Sequence, residues 1–194
     1  FYNLSMKFLQ FGQYVRNRDR VFQIIKPKVE ALANETEQRA NFVIEENGQG
    51  VYVVTKKGEH SVDTFAQRGR QLFLHASSAG KAILAELPRE KIENIIEQQG
   101  LPEMTQKTIT DREELYEELD RVQERGYAIC DEEYISGVRA VSTPVCRPNN
   151  EVIGALGISG AAYRLTDEKI QERFSDSLLG IASEIELEIE HTLS

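Results

Sequence analysis

The 194 residues are 40% hydrophobic and 28% charged, enough for one substantial core and too short to divide readily into two independent domains. The formal net charge is −9 and unevenly spread: residues 1–30 hold six basic side chains against two acidic ones, which leaves −13 on the rest. So acidic a body is a poor direct reader of nucleic acid, whose affinity comes from neutralised phosphates, and the apolar runs are too short to cross a bilayer. A cytoplasmic protein without a membrane partner is expected.

Leu4, Phe8, Phe11 and Val15 recur at helical spacing and predict an apolar-striped entry helix. The chain starts at Phe1 without a methionine, so this helix is expected to continue from a domain upstream. Val21, Ile24, Ile25, Val29 and Leu32 keep the same period, and Pro27 is expected to kink or restart the helix because proline removes an amide donor. Phe42 and Ile44, then Val51 to Val54, flank Asn47-Gly48 and predict a hairpin.

From His75 to Ala85 the residues are mostly small, so a helix start there can approach another backbone closely. Pro88 opens a further helix. Asp111 and Glu114 have capping-box spacing, and Gly126 ends the helix that buries Leu115, Leu119 and Val122. A strand follows at Tyr127 to Cys130. Val138 to Cys146 and Val152 to Ser159, joined by the turn-forming Arg147 to Asn150, read as an antiparallel pair. Thr166 caps a last helix with Phe174, Leu178, Ile181, Ile185 and Ile189 on one face. This order is α+β with a mainly antiparallel sheet, not a doubly wound fold.

Catalytic and cofactor motifs are weak. Ala79-Gly80-Lys81 misses two positions of a phosphate loop, since its first glycine would fall at His75 and the residue after lysine is Ala82. Gly154, Gly157 and Gly160 lack dinucleotide-fingerprint spacing and end a strand, which fits backbone kept bare for a ligand or a packed neighbour. Cys130 has carboxylates beside it, the opposite of activation. His75, Ser77 and Ser78 lack the separate groups of a triad. Asp131-Glu132-Glu133 reads as a solvated loop or one that covers a pocket. Cys130 and Cys146 read as buried apolar residues; with His60, His75 and His191 scattered, neither metal nor cofactor is expected.

Taken in order, Tyr2-x-Leu4-Ser5, Pro27 through Leu32-Ala33, His75-Ala76, Gly80-Lys81-Ala82, Thr108-Ile109 with Leu115, Arg125-Gly126-Tyr127-Ala128, Asp131-Glu132-Glu133, Gly137-Val138-Arg139, Pro144-Val145 and Ser159-Gly160 resemble the C-terminal domain of IclR-type transcription regulators. The resemblance covers nearly the whole chain. It implies a GAF-like (profilin-like) domain with a curved sheet and flanking helices at 19–194, after a linker helix at 1–18 from an absent winged helix-turn-helix. It also implies a small organic effector, a homodimer or homotetramer, and DNA contact only through the absent domain.

The resemblance places the effector near Ser78-Ala79, where helix amides favour an anion, with further walls at Leu72, Cys130, Ala140, Gly157 and Ser159. Cys130, Ala140 and Gly157 stand where the more polar version of the pattern carries an acid, a thiol and a hydroxyl. Those departures point to a bulkier or more apolar effector, an aromatic or longer-chain acid. The rival readings are a small enzyme using His75 or Cys130, and a GAF-type sensor in a non-transcriptional signalling protein.

Overall fold

The computed structural model describes residues 7, 10–12, 14, 20–64 and 66–193. Of the proposed entry stripe, Leu4, Phe8 and Val15 lie outside the described residues, as does most of the 1–18 segment; Phe11 is described and exposed.

Six antiparallel strands form one sheet in the order β3-β2-β1-β6-β5-β4: β1 Arg39–Glu46, β2 Gln49–Lys56, β3 Gln71–Leu72, β4 Ala128–Asp131, β5 Val138–Cys146 and β6 Val152–Ala161. Asn47 and Gly48, with φ of 54° and 81°, make the expected turn between β1 and β2. Register shifts at Phe42/Val43 and Val145/Cys146 bulge the ladder, which increases its twist. The two-residue β3 carries no sequence period and was not anticipated.

One face of the sheet packs on α1 (Arg20–Thr36) and the closing helix. Val21, Ile25, Val29 and Leu32 meet Ala40, Phe42, Val141, Leu156 and Ile158 there. Helix α1 runs through Pro27 without the restart that was one of the two expected outcomes. Pro27 sits on the exposed side, and burial of Ile25 and Val29 on either side holds the helical path despite the lost donor. The other face packs on α2 (Ser78–Ala85), α3 (Arg89–Gln99) and α4 (Arg112–Arg125).

Caps fall where the residues demand them. Asp111 accepts from the Glu114 amide, and Gly126 ends α4 in the left-handed region at φ 79°. Thr166 caps α5 (Asp167–Lys169), and a π-helical turn at Ile170–Phe174 leads into α6 (Ser175–Leu193). That turn, closed by the Ser175 amide on the Ile170 carbonyl, interrupts the regular period expected from Thr166 onward; it leaves Ile170 and Phe174 both in the core with Leu178, Ile185 and Ile189.

Candidate effector site

Side chains alternate across the sheet, so register alone says which residues look toward α2. Three rows do. Cys130, Ala140, Ser159 and Arg39 lie side by side on β4, β5, β6 and β1. Ala128, Ser142, Gly157, Asn41 and Thr55 form the next row, and Pro144, Ala155, Val43 and Tyr52 the third.

The start of α2 covers these rows. Ser77 accepts the Gly80 amide at 3.0 Å, and its carbonyl takes the Lys81 amide at 2.8 Å. The amides of Ser78 and Ala79 keep no acceptor inside the helix, as at any helix start. A Cβ on Gly80 would stand 2.1 Å from the Leu74 carbonyl oxygen, so this glycine lets α2 seat against the Leu74 backbone. Gly80→Ala is expected to cost about 3 kcal/mol, read from urea unfolding midpoints.

Of the sequence-predicted wall residues, Ser78, Ala79, Cys130, Ala140, Gly157 and Ser159 converge between α2 and the sheet. Ser78 Oγ is 2.8 Å from Ser142 Oγ. That Ser142 hydroxymethyl lies over Gly157, where an added Cβ would come within 2.1 Å of its oxygen. Gly157 is thus bare for Ser142. Gly154 likewise makes room for Phe42 and the Val43 carbonyl, and Gly160 for Gln38 and Leu165. Leu72 packs over Gly50 and Val43 at the far side of the same face. Ala140 is half-buried, whereas Cys130 and Ser159, its neighbours in the row, are 4% and 7% exposed.

Arg39, Asn41, Tyr52 and Thr55 of this face were not predicted, nor was Ser142, the partner of Ser78. The signal was available in β1, where Arg39, Asn41 and Val43 alternate with the buried Ala40 and Phe42. Burial raises the Tyr52 hydroxyl above its ordinary range, with Tyr134 and Cys130 adding to the effect and Arg39 and Arg70 opposing it. The Phe73 amide donates to the Tyr134 hydroxyl, and burial, its main influence, raises Tyr134 as well.

The acidic triplet divides between solvent and core: Asp131 and Glu132 stay partly exposed and share Lys107, whereas Glu133 turns inward. Asp131 lies 2.8 Å from Arg139 and 3.1 Å from Lys107, and Glu132 is 2.8 Å from Lys107. Glu133 is buried and bonded to Lys81 at 2.7 and 2.9 Å. His75 is also buried, its Nε2 3.1 Å from the Pro102 carbonyl, and burial lowers its pKa. Cys130 is buried as expected, whereas Cys146 is only half-buried. Among the described residues no group of histidine, cysteine and acid side chains could hold a metal ion, and no helix is long and apolar enough to cross a membrane. Two solvent-open grooves of about 370 and 350 Å³ lie elsewhere and include none of the predicted wall residues.

Residues 12–187 match the family model described as bacterial transcriptional regulator IclR, C-terminal. The chain belongs to the IclR family. It is 30% identical over 187 residues to the HTH-type transcriptional regulator KipR of Bacillus subtilis, covering 95% of this chain and 75% of that protein. The IclR structure from Thermotoga maritima superposes with a TM-score of 0.89 at 29% identity, over 95% of this chain and 74% of that one. The α+β fold with a curved antiparallel sheet, expected from the resemblance, is therefore the IclR C-terminal fold. A second structure is the inducer-binding domain of PobR from Acinetobacter, a double mutant in complex with 3-hydroxybenzoic acid. It has a TM-score of 0.77 at 26% identity and covers 84% of this chain and 96% of that one. IclR relatives are named as transcription regulators and repressors, not enzymes, which sets aside the reading of His75 or Cys130 as catalytic.

Proposed function

We propose that this IclR domain senses a small organic effector, an organic acid, in the chamber between α2 and the row Cys130–Ala140–Ser159–Arg39. One observation carries the reading: Ala140 keeps some access to solvent between two buried neighbours, two residues along β5 from Ser142, which meets Ser78 at a helix start whose amides favour an anion. Ser78, Ala79, Leu72, Cys130, Gly157 and Ser159 complete the walls or support them, and the 3-hydroxybenzoic acid held by the PobR double mutant, an aromatic acid, suits a space of this kind.

Residues 1–18 act as the linker helix from a winged helix-turn-helix, and 19–194 as the sensor. DNA is held by that upstream reader, in the cytoplasm, and the domain works as a homodimer or homotetramer. Effector binding controls the reader only through a difference in affinity for two arrangements of the oligomer, so tight binding alone transmits nothing.

Ala140→Trp tests the site, because an indole there fills the space from below. Thermal unfolding of the wild-type domain with pyruvate, benzoate, hexanoate or D-gluconate is expected to show at least one acid raising Tm by about 4 °C or more at saturating concentration. In Ala140→Trp that rise is expected to vanish with the unliganded Tm kept within about 4 °C. A rise unaltered by the tryptophan would place binding elsewhere.

A further inference from the structure

Arg39 ends the row that holds Ser159, Ala140 and Cys130, and it is 3% exposed. Its Nη1 and Nη2 donate to the carbonyls of Ala66 and Val62, 3.1 and 3.3 Å away, and so strap the β2–β3 connection over the sheet. Carbonyls satisfy donors but bring no countercharge. Among the described residues, the acid within ion-pair reach is Asp63, 3.8 Å off and largely in solvent, while Nε is buried without a partner. Two more buried polar atoms without partners lie close by. Thr55 Oγ1 belongs to the residue paired with Asn41, and Thr64 Oγ1 to the stretch between the two strapped carbonyls.

A guanidinium taken out of water without an anion costs far more than one that meets a carboxylate, and a buried hydroxyl with no partner adds its own penalty. A buried guanidinium and two unpartnered buried hydroxyls, one on β2 opposite Asn41 and one on the strapped connection, match an acid bearing hydroxyl groups. We infer that Arg39 receives the acidic group of the effector and that the effector is a hydroxycarboxylic acid of sugar-acid size, its hydroxyls taken by Thr55 and Thr64. The inference rests on the chamber proposed above and gives its ligand a chemical class.

Strand β1 stands two strand spacings from β5, about 10 Å, so the same molecule reaches from Arg39 toward the Ser78 and Ala79 amides, which take an oxygen at its other end. The bare walls at Cys130 and Ala140 suggested an apolar effector when viewed as sequence. Arg39 makes the opposite half of the chamber polar, and a carboxylate there has both charge and hydrogen bonds to gain.

The test is calorimetric titration of the folded domain with D-gluconate, D-galactonate and D-ribonate, with the matching aldonamides, and with hexanoate, pyruvate and benzoate. Wild type is expected to bind at least one aldonate about tenfold or more tighter than its amide. Arg39→Gln is expected to bring acid and amide within about twofold of each other, and Arg39→Lys to keep part of the preference. A residue that only straps the loop would weaken acid and amide alike, and that result overturns the inference. So does failure of all three aldonates to bind, or hexanoate binding as tightly as D-gluconate. Should Arg39→Gln not fold, an unchanged acid-to-amide ratio in Arg39→Lys overturns it and a reduced ratio supports it. If hexanoate, pyruvate or benzoate binds wild type and Ala140→Trp abolishes it while the aldonates fail, the chamber stands and this inference falls.

Discussion

Lys81→Met is expected to cost the domain about 3–5 kcal/mol, because it takes the counterion from a buried carboxylate. Lys81 is 1% exposed, and its ammonium lies 2.7 Å from Glu133 and 3.6 Å from Glu118. Removing it leaves two carboxylates facing each other with Glu133 buried, whereas Glu118 retains Arg121 and Arg125 at 3.0 and 2.9 Å. Replacing both partners, as in Lys81→Met with Glu133→Leu, is expected to recover most of the loss, because apolar groups of similar size leave no charge behind. Burial already holds Glu133 above the ordinary carboxylate range, against the pull of Lys81. Without Lys81 it rises further. A carboxylate raised in the folded state takes up its proton more readily there than in the unfolded chain, so the deficit of the single variant is full at neutral pH and shrinks as pH falls. Urea unfolding at pH 4.5 and 7 measures both effects, and a deficit under about 1 kcal/mol at pH 7 would show the pair to be dispensable.

That ion pair also explains why part of the site was hidden in the sequence. Lys81 and Glu133 are separated by 52 positions, and Asp131 reaches Lys107 across 24. A run of three acids looks solvated until the bases that meet it are folded into place. The turns, the caps and every strand but β3 were legible because each rests on a pattern within a few residues: Asn47-Gly48, the Asp111 cap, the Gly126 terminus. Arg39 and Asn41 show the limit. Their alternation with Ala40 and Phe42 marked one polar face of β1, but the same pattern describes a strand open to water. Only the strap at Val62 and Ala66, far along the chain, turns that face into a wall. Pro27 and the π-helical turn at Ile170–Phe174 escaped for the related reason that burial on both sides overrides a local penalty.

The same architecture accounts for a sensor that does not react with what it holds. Lys81 is committed to Glu133, His75 to the Pro102 carbonyl and Ser78 to Ser142, so the nucleophilic and basic groups around α2 are consumed in holding the helix to its surroundings. The alanine, serine and protonated thiol proposed as chamber walls would offer shape and hydrogen bonds without a base beside a nucleophile.

Cys130 gives this account its sharpest physical test. Burial pushes its thiol up to about 11, with Glu133 reinforcing the shift and Lys81 and the amides of Tyr134 and Glu133 opposing it. Its Sγ donates to the Ala76 carbonyl at 3.4 Å. In the unfolded chain the thiol ionises near its ordinary value of 9.0, so between pH 9 and 11 the unfolded state has shed a proton that the folded state keeps. The stabilisation is complete below pH 9 and declines as pH rises, by about 1.4 kcal/mol per pH unit and about 2–3 kcal/mol by pH 11. Tyr52, Tyr134 and Cys146 are raised by burial too and steepen the same decline, so the contribution of Cys130 is read as a difference between variants. Cys130→Ala is expected to be less stable than wild type at pH 8 and to close that gap by pH 11, as followed by urea midpoints across the range. A gap of constant size would mean that the thiol ionises alike in both states, and would place Cys130 in contact with water instead of within the wall beneath α2. Iodoacetamide gives an independent reading: at pH 8 it should modify Cys130 far more slowly in the folded domain than in urea, because the thiolate that reacts is scarce and covered.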